Sequence, residues 1–277
     1  MVDLLDEALA QTATWPAANV SAAVVAPDGP IATVGDLDHR FALASVTKPL
    51  AALGCLIAVE EGTLDLDEPA VPDGARDVTV RHLLAHAGGY GFDTGLLQPP
   101  GRTRIYSNTG FDALANHLTA RAGIPATEYV TEAVFVALDM RSTDLRLDSL
   151  AYGATSTVSD MIRTAQELMR PTLVHAETLH SARSVQFPGL DGVLPGFGRQ
   201  TPNDWGLGFE IRGHKSPHWT GSANAPSTFG HFGAAGTFIW VDPNLDHALV
   251  VLTDEPFGPW ARHRWPELND AVVSALS

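Results

Sequence analysis

The chain has 277 residues, of which 45% are hydrophobic and 18% are charged. This composition is typical of a globular protein and argues against a disordered one. The formal net charge of −15 argues against nucleic acid and against an anionic membrane surface as partners. The length allows one large domain or two closely packed domains.

The amino-terminal segment has the pattern of a short amphipathic helix over residues 1–10. It has neither the basic region nor the long apolar run of a signal peptide. No segment approaches the length of a membrane span, and the single cysteine, Cys55, allows no intramolecular disulfide. We therefore expect a cytoplasmic protein.

Strand patterns occur near both ends of the chain. Short apolar segments rich in β-branched or aromatic residues lie at 21–26, 31–34, 205–211, 236–241 and 248–253. The first two flank a turn at Asp28 and Gly29, and the last two flank a turn at 242–244. Each of these two pairs therefore predicts an antiparallel hairpin.

Helical periodicity dominates the middle of the chain. It predicts helices over 78–84, 110–122, 128–138 and 156–168, the last capped by Ser156 or Ser159, and a final helix over 266–276. The sequence thus predicts an α+β fold, in which strands from both termini form one antiparallel sheet and the helices form an insertion. We expect a sheet domain from residues 1–48 and 200–277, and a mainly helical domain from 49–199.

A further helix is predicted to begin at Ser45 and to end near Gly62. A serine suits the N-cap of such a helix, a proline such as Pro49 is tolerated in a first turn, and glycine suits the residue after the last turn. Residues three apart lie on the same face of a helix, so the Ser45 hydroxyl and the Lys48 amine can meet. This arrangement places a nucleophile beside a candidate base.

The composition of the basic residues favours a chemical role for Lys48. Only Lys48 and Lys215 are lysines among 17 basic residues. A desolvated lysine can become a neutral amine, whereas arginine keeps its proton. Catalysis is therefore a better interpretation of the Ser45–Lys48 pair than capping beside a solvated lysine.

Two further motifs follow in the chain, Tyr106-Ser107-Asn108 and His231-Phe232-Gly233. In this order the three motifs resemble those of the serine β-lactamase-like superfamily, in particular its class C β-lactamase, esterase and D-aminopeptidase branch. Segment 82–89 is similar to that branch's Leu-Leu-x-His-x-Ser-Gly segment, with Gly88 in place of the serine. The resemblance extends over about residues 23–254.

The resemblance implies an acyl-enzyme on Ser45, with Lys48 or Tyr106 as the first base. Lys48 in its charged form is expected to favour the phenolate of Tyr106. Asn108 can hold either the substrate or Lys48. The resemblance places the oxyanion site at the backbone amides of Ser45 and Ala234, beside Gly233 and His231. The implied partner is a small-molecule acyl substrate, no cofactor is expected, and the oligomeric state stays open.

Each candidate also has a structural interpretation. Tyr106 can be an ordinary buried tyrosine, Asn108 a helix cap and His231 an exposed strand residue. His82 and His86 have a spacing that zinc sites use, but the resemblance makes them structural, and no metal is expected. His214 and His218 look incidental. Trp219 and Trp260 are our candidates for the acyl pocket.

His231 stands where many β-lactamases of the superfamily have lysine. Histidine is only partly charged near neutral pH, so we expect weak binding of penicillin-like acids. We therefore expect an esterase that acts on small acyl esters. A β-lactamase, a D-aminopeptidase or amidase, and an acyltransferase stay as alternatives with the same catalytic residues. A catalytically silent ligand-binding relative is the alternative from another class.

Overall fold

The computed structural model describes residues 2–70, 77–145, 147 and 149–277. Its α-helices are α1 (Val2–Ala10), α2 (Thr47–Glu60), α3 (Val80–Leu84), α4 (Asn108–Ala122), α5 (Ala126–Val130), α6 (Val158–Met169), α7 (Ala176–Ala182) and α8 (Pro259–Leu276). Its strands are β1 (Val20–Ala26), β2 (Gly29–Val34), β3 (Phe41–Ala42), β4 (Arg104–Ile105), β5 (Asp144–Leu145), β6 (Ala154–Ser156), β7 (Gly192–Leu194), β8 (Gly198–Gln200), β9 (Glu210–Ile211), β10 (Phe229–Gly233), β11 (Thr237–Asp242) and β12 (His247–Thr253).

Six strands form an antiparallel sheet in the order β2-β1-β12-β11-β10-β9. Strand β1 pairs with β12, so that Val20 lies opposite Thr253 and the two ends of the chain meet in the middle of the sheet. Both predicted hairpins are present, as β1–β2 and β11–β12. The predicted α+β fold with a sheet built from both termini is confirmed.

The central strands are buried on both faces of this sheet. Ala22 and Val24 of β1 belong to one hydrophobic core, together with side chains of α1 and α8. The alternate residues Ala23 and Val25 belong to a second core, with side chains of α2 and α6. Because successive strand residues point to opposite faces, the sheet lies between two helical layers. The second core continues through the residues of the helical insertion, and the division into two domains stays a prediction.

Helix α2 is buried along most of its length, as suits the central helix of a core. Ser45 does not cap it: Ser45 lies in a short 3₁₀ turn, Ala44–Val46, and α2 begins at Thr47 without a side-chain cap. Pro49 lies in the first turn, as predicted. Gly62 adopts a φ of 75° after the last turn, a conformation that glycine adopts at little cost.

Two other helix boundaries differ from the prediction. Helix α6 is capped by Thr157, whose hydroxyl accepts a hydrogen bond from the Asp160 amide at 3.2 Å, and not by Ser156 or Ser159. Helix α8 begins at Pro259, and Pro266 lies within it. A proline inside a helix removes one backbone donor, and burial of the neighbouring Trp265 and Leu268 offsets that loss.

The strand predicted over 205–211 is mostly a loop, since only Glu210 and Ile211 join the sheet. Gly208 adopts a φ of +80°, and a Cβ there would lie 2.2 Å from the Cβ of Ala52. The glycine therefore allows the loop to pack against α2, and this tertiary contact outweighs the strand-like composition. Predicted helix 128–138 is α5 followed by a π-helical turn at Thr131–Val136. Within the described ranges, the structure has no helix with the length and hydropathy to cross a membrane.

Candidate active site

The turn that carries Ser45 has an unusual backbone. Ala44, immediately before the serine, adopts a φ of 46°, which is rare for a residue with a side chain. The Leu43 carbonyl accepts a hydrogen bond of 2.8 Å from the Thr237 hydroxyl on β11. Thr47 secures the other end of the turn, because its hydroxyl donates to the Ala44 carbonyl at 2.7 Å and accepts from the Ala154 amide at 3.0 Å. The position of Ser45 is therefore fixed by strand β11 on one side and by the first residue of α2 on the other.

Lys48 lies one helical step beyond Ser45 and is fully buried. Its Nζ is 3.4 Å from Ser45 Oγ, 2.8 Å from Asn108 Oδ1 and 2.9 Å from the Ala151 carbonyl oxygen. Burial lowers the pKa of Lys48 to about 7, although the nearby carboxylates of Asp112 and Asp93 act in the opposite direction. Near neutral pH the side chain is thus close to the midpoint between amine and ammonium.

The partners of Lys48 also set the direction of its lone pair. Asn108 Oδ1 and the Ala151 carbonyl are acceptors, so the two protons of the neutral amine occupy them. The lone pair is then left for the third neighbour, the Ser45 hydroxyl. The spacing of 3.4 Å is long, as is common for catalytic hydrogen bonds before a substrate binds.

Asn108 is the first residue of α4, and the cap of that helix is Ser107, whose hydroxyl accepts from the Gly110 amide at 2.8 Å. The capping interpretation of Asn108 is therefore wrong. Its side chain is buried, with Oδ1 on Lys48 and Nδ2 on the Asp93 carboxylate at 2.9 Å. Asn108 thus contacts the Lys48 amine, and its role in substrate binding stays a prediction.

Tyr106 lies beside the Lys48 amine, but its protonation state differs from the phenolate that we expected. Lys48 Nζ is 4.7 Å from the centroid of the Tyr106 ring and faces its π surface. The hydroxyl oxygen is buried without a hydrogen bond of good geometry in the described structure. Burial raises the pKa of the phenol above its ordinary value, although the nearby Ser45 hydroxyl acts in the opposite direction. Tyr106 is therefore protonated near neutral pH, and the expected phenolate is not what this environment favours.

His231 is buried, at 2% exposure, so its interpretation as an exposed strand residue is wrong. Its Nδ1 lies 2.7 Å from the Phe232 carbonyl oxygen. A carbonyl can only accept, so Nδ1 carries the proton. Burial, together with the Lys48 charge, lowers the pKa of His231 to about 3. The ring is thus neutral, and its Nε2 is an acceptor without a hydrogen-bond partner among the described residues.

Gly233 is the last residue of β10, and Ala234 follows it towards Ser45. A Cβ on Gly233 would lie 2.3 Å from the Leu43 carbonyl oxygen, so only glycine allows this close approach of strand and turn. Ser45 and Ala234 both line one cavity. The predicted oxyanion residues are thus brought to the same pocket as the predicted nucleophile.

This catalytic pocket has a volume of about 150 Å³. Its walls are mostly apolar and consist of Ser45, Phe92, Tyr106, Leu194, Pro195, Gly196, Trp205, His231, Phe232, Ala234 and Phe257. No charged side chain is among these described lining residues. The tryptophan in the wall is Trp205, so our choice of Trp219 and Trp260 for the acyl pocket is wrong.

The histidines of segment 82–89 have separate structural contacts. His82 Nδ1 accepts a hydrogen bond of 3.3 Å from the amide of Thr79, the N-cap of α3. The Thr79 hydroxyl accepts one of 3.3 Å from the His82 amide, so the two residues form a capping box. The Nδ1 of His86 accepts from the Ser107 amide at 3.2 Å, and its ring centroid lies 4.6 Å from that of Tyr106. His86 therefore packs against the ring of Tyr106.

A buried ionic network lies next to Trp205 of the pocket wall, with Lys215 Nζ 5.7 Å from the Trp205 ring centroid. Our sequence reasoning missed this network. The Glu210 carboxylate lies 2.8 Å from Lys215 Nζ and 2.8 Å from His218 Nε2, and accepts from Trp219 Nε1 at 2.6 Å. His218 is therefore not incidental. The rarity of lysine was the available signal, because Lys215 is the second of only two lysines.

The family model described as Beta-lactamase matches residues 16–273 of the chain. A crystal structure of a beta-lactamase from Mycobacterium bovis is 52% identical, with a TM-score of 0.94, and the match covers 97% of this chain and 99% of that one. EstCE1, a hydrolase with promiscuous acyltransferase activity, shares the fold at 16% identity, with a TM-score of 0.82 and coverage of 98% of both chains.

A curated relative from Salmonella gallinarum, provisionally named a D-alanyl-D-alanine carboxypeptidase, is 37% identical over 90 residues. The match covers 31% of this chain but only 20% of that protein, so it spans about a fifth of the relative's length.

Proposed function

Since the chain belongs to the Beta-lactamase family of serine hydrolases, we propose that it cleaves small acyl esters through an acyl-enzyme on Ser45. Lys48 is the first base of the proposed mechanism, Tyr106 is a proton donor, and the backbone amides of Ser45 and Ala234 bind the oxyanion. Asn108 orients Lys48, and Gly233 and His231 shape the substrate site.

The proposed acylation begins at the Ser45 hydroxyl. Its proton passes to the lone pair of neutral Lys48 while Oγ forms a bond to the ester carbonyl carbon. The carbonyl oxygen becomes an oxyanion that the two backbone amides stabilise. The carbon–oxygen bond to the alcohol then breaks, and the leaving oxygen takes a proton from the Tyr106 hydroxyl, which is itself replenished from Lys48.

Deacylation runs through the same groups in the reverse direction. A water molecule gives its proton to the base as its oxygen attacks the acyl carbon, and Ser45 recovers its proton as the acid leaves. The buried phenol supports this assignment, because its raised pKa keeps the proton on the hydroxyl near neutral pH, so Tyr106 is unavailable as first base and holds a proton to donate.

One observation carries the choice of substrate. The catalytic pocket is small and mainly apolar, and its described lining residues include no charged side chain. The neutral His231 stands where many β-lactamases of the superfamily have lysine, so the pocket lacks a fixed cation for the carboxylate of a penicillin-like acid. These features support a short neutral acyl group over a β-lactam.

A comparison of two chromogenic substrates tests the proposal. We expect a short-chain nitrophenyl ester to have a higher kcat/KM than a chromogenic cephalosporin. Faster turnover of the cephalosporin would reverse the order of substrates. The Ser45→Ala variant is the control for the nucleophile, and we expect it to lose covalent labelling by a fluorophosphonate. Labelling that persists in this variant would place the nucleophile elsewhere.

Acyl transfer to an alcohol or amine is the second candidate, supported by the acyltransferase activity named for the structural neighbour EstCE1. The apolar pocket also favours an organic acceptor over water. Adding a primary alcohol to the ester assay separates the two reactions, because transfer yields a new ester in place of the free acid. Release of free acid alone would exclude transfer to that acceptor. The cytoplasmic location stays a prediction.

A further inference from the structure

A second, more polar cavity lies beside the catalytic pocket. It is a groove of about 920 Å³, and Gly196 lines both the groove and the catalytic pocket. The groove has three walls: the turn at 196–198, the segment from Arg212 to Ser222, and the face of α8 that carries Arg262, His263 and Asp270. The two cavities therefore adjoin at Gly196.

The arginines of this groove differ from most others in the chain. Eight described arginines have a carboxylate within 4.0 Å, namely Arg40, Arg81, Arg121, Arg141, Arg163, Arg170, Arg199 and Arg264. Within the described ranges Arg212 and Arg262 have none, although acidic residues outnumber basic ones by 32 to 17. Two guanidinium groups without ion-pair partners thus face one groove in an acidic protein.

Arg212 is also held in place for binding. Its Nε donates to the Gly221 carbonyl at 3.1 Å and its Nη1 to the Gly213 carbonyl at 3.0 Å. The remaining nitrogen, Nη2, has no protein acceptor in the described structure. A guanidinium fixed by two carbonyls loses little conformational freedom when it binds an anion.

The acidic groups near the groove accept hydrogen bonds from neutral donors and form no ion pair with Arg212 or Arg262 within the described ranges. Asp270 accepts hydrogen bonds from the Ser222 hydroxyl at 3.0 Å and the Ala223 amide at 2.7 Å. Burial lowers the pKa of Arg212, and the charges of Asp270 and Asp242 act in the opposite direction. Asp242 accepts hydrogen bonds from the Ala225 amide and the Thr228 hydroxyl. Lys215 also lines the groove, but its charge is balanced by Glu210. Arg212 and Arg262 are therefore the cations available to a ligand.

Aromatic rings separate these cations from the catalytic pocket. The ring centroid of Phe232 lies 5.9 Å from that of Phe197 and 5.0 Å from that of Phe257. Neither Arg212 nor Arg262 lines the catalytic pocket. An anion bound directly to the reacting group would therefore lie on the opposite side of the ring layer from these cations. To reach them, the anion has to be carried on a chain that extends past Gly196.

We propose that the groove binds an anionic group, carboxylate or phosphate, carried on the alcohol portion of the ester substrate. The inference rests on the proposed esterase function and adds the substrate class. The apolar pocket takes the acyl group, and Arg212 and Arg262 bind the anion through charge-assisted hydrogen bonds. Arg212 is half-buried and Arg262 is exposed, so their attraction for an anion is salt-dependent.

The test uses three aryl acetates that differ only at the end of a short alkyl chain on the phenol ring. The chain ends in a carboxylate, a phosphate or a neutral methyl ester. We expect kcat/KM at low salt to be about fivefold higher for at least one anionic ester than for the neutral ester. This advantage, measured as the ratio of kcat/KM for the anionic ester to that for the neutral ester, should disappear at high salt and in Arg262→Glu. The matched control is Arg264→Glu, which makes the same change of charge on the same helix, at an arginine that pairs with Glu267. The better of the two anionic esters identifies the anion.

The outcomes separate the two proposals. Equal kcat/KM for all three esters, or a preference for the anionic esters that survives in Arg262→Glu, would overturn the proposal that the groove binds the anion. The esterase proposal would still stand. If no ester is hydrolysed, the esterase proposal fails. Titration calorimetry with the phosphate-tailed phenol then still tests the groove: binding that is lost in Arg262→Glu supports it, and equal or absent binding in both proteins overturns it.

Discussion

The Thr237 hydroxyl donates a hydrogen bond of 2.8 Å to the Leu43 carbonyl, and so joins strand β11 to the turn that carries Ser45. The same carbonyl lies against Gly233 of the neighbouring strand. The geometry of the nucleophile is thus set by the sheet, although Ser45 is close to the start of a helix. Substitutions on the sheet should therefore change catalysis without touching the catalytic side chains.

Gly233→Ala should lower ester hydrolysis by about 100-fold, since a misplacement of about 1 Å has that effect on a catalytic group. The new Cβ would lie 2.3 Å from the Leu43 carbonyl oxygen and 2.6 Å from Thr237 Oγ1, so the turn has to shift. The measurement is kcat/KM together with the rate of fluorophosphonate labelling. Gly95→Ala is the matched control, because a Cβ there meets no atom within 4 Å. Wild-type activity in Gly233→Ala would show that the turn does not depend on this contact.

The pH dependence of kcat/KM should report the Lys48 amine. Burial lowers its pKa to about 7, and the proposed base acts only when unprotonated. Activity should therefore rise by about tenfold per pH unit below the pKa and level off above it. In Tyr106→Phe we expect the same inflection at a lower plateau, because the phenol acts as donor. An inflection that disappears in Tyr106→Phe would instead assign the first base to the tyrosine.

His231→Lys should shift the substrate preference towards carboxylate-bearing β-lactams. The native ring is neutral, with Nδ1 bound to the Phe232 carbonyl, so it offers the carboxylate no charge. A hydrogen bond to a charged partner contributes about 1.5–3 kcal/mol, so we expect the ratio of cephalosporin to ester kcat/KM to rise by about tenfold or more. His231→Gln is the uncharged control. If both variants change this ratio equally, charge is not what limits the native site.

The sequence identifies the parts of the site that depend on local spacing or on a recognisable motif. Ser45 and Lys48 are one helical step apart, and that spacing alone predicts their contact. Motifs cannot reveal which atoms a distant segment supplies: the Ala151 carbonyl that directs the Lys48 lone pair carries no signal in the sequence. The contribution of Trp205 to the pocket was missed for the same reason, because its loop packs by a glycine contact with α2 and not by strand pairing.

Protonation states were also outside the reach of the sequence. The motif alone gives Tyr106 a cationic neighbour and so favours its phenolate, whereas the folded chain buries the hydroxyl and raises its pKa. The fold class was predictable because strand patterns at both ends and helical periodicity between them are properties of composition and period. The ends of α6 and α8 were not, since Ser156, Thr157 and Ser159 are all suitable cap residues by type, and Pro266 lies within α8 where the neighbouring Trp265 and Leu268 are buried.

The last prediction concerns the ionic network behind the pocket wall. Glu210→Gln removes the counterion of Lys215, whose side chain is fully buried, and breaking a buried pair from one side costs about 3–5 kcal/mol. We expect the free energy of unfolding in urea to fall by that amount near pH 7.

Although burial acts against it, the charges of Lys215 and His218 hold the pKa of Glu210 well below its ordinary value. This contribution is therefore present above the pKa of an unfolded glutamate and is lost as the pH falls below it, so the difference between wild type and variant should shrink in acid. Glu267→Gln, which breaks the exposed pair with Arg264 at 3.1 Å, is the control and should cost about 1 kcal/mol or less. Equal stability losses in the two variants would mean that the buried network contributes no more than a surface ion pair.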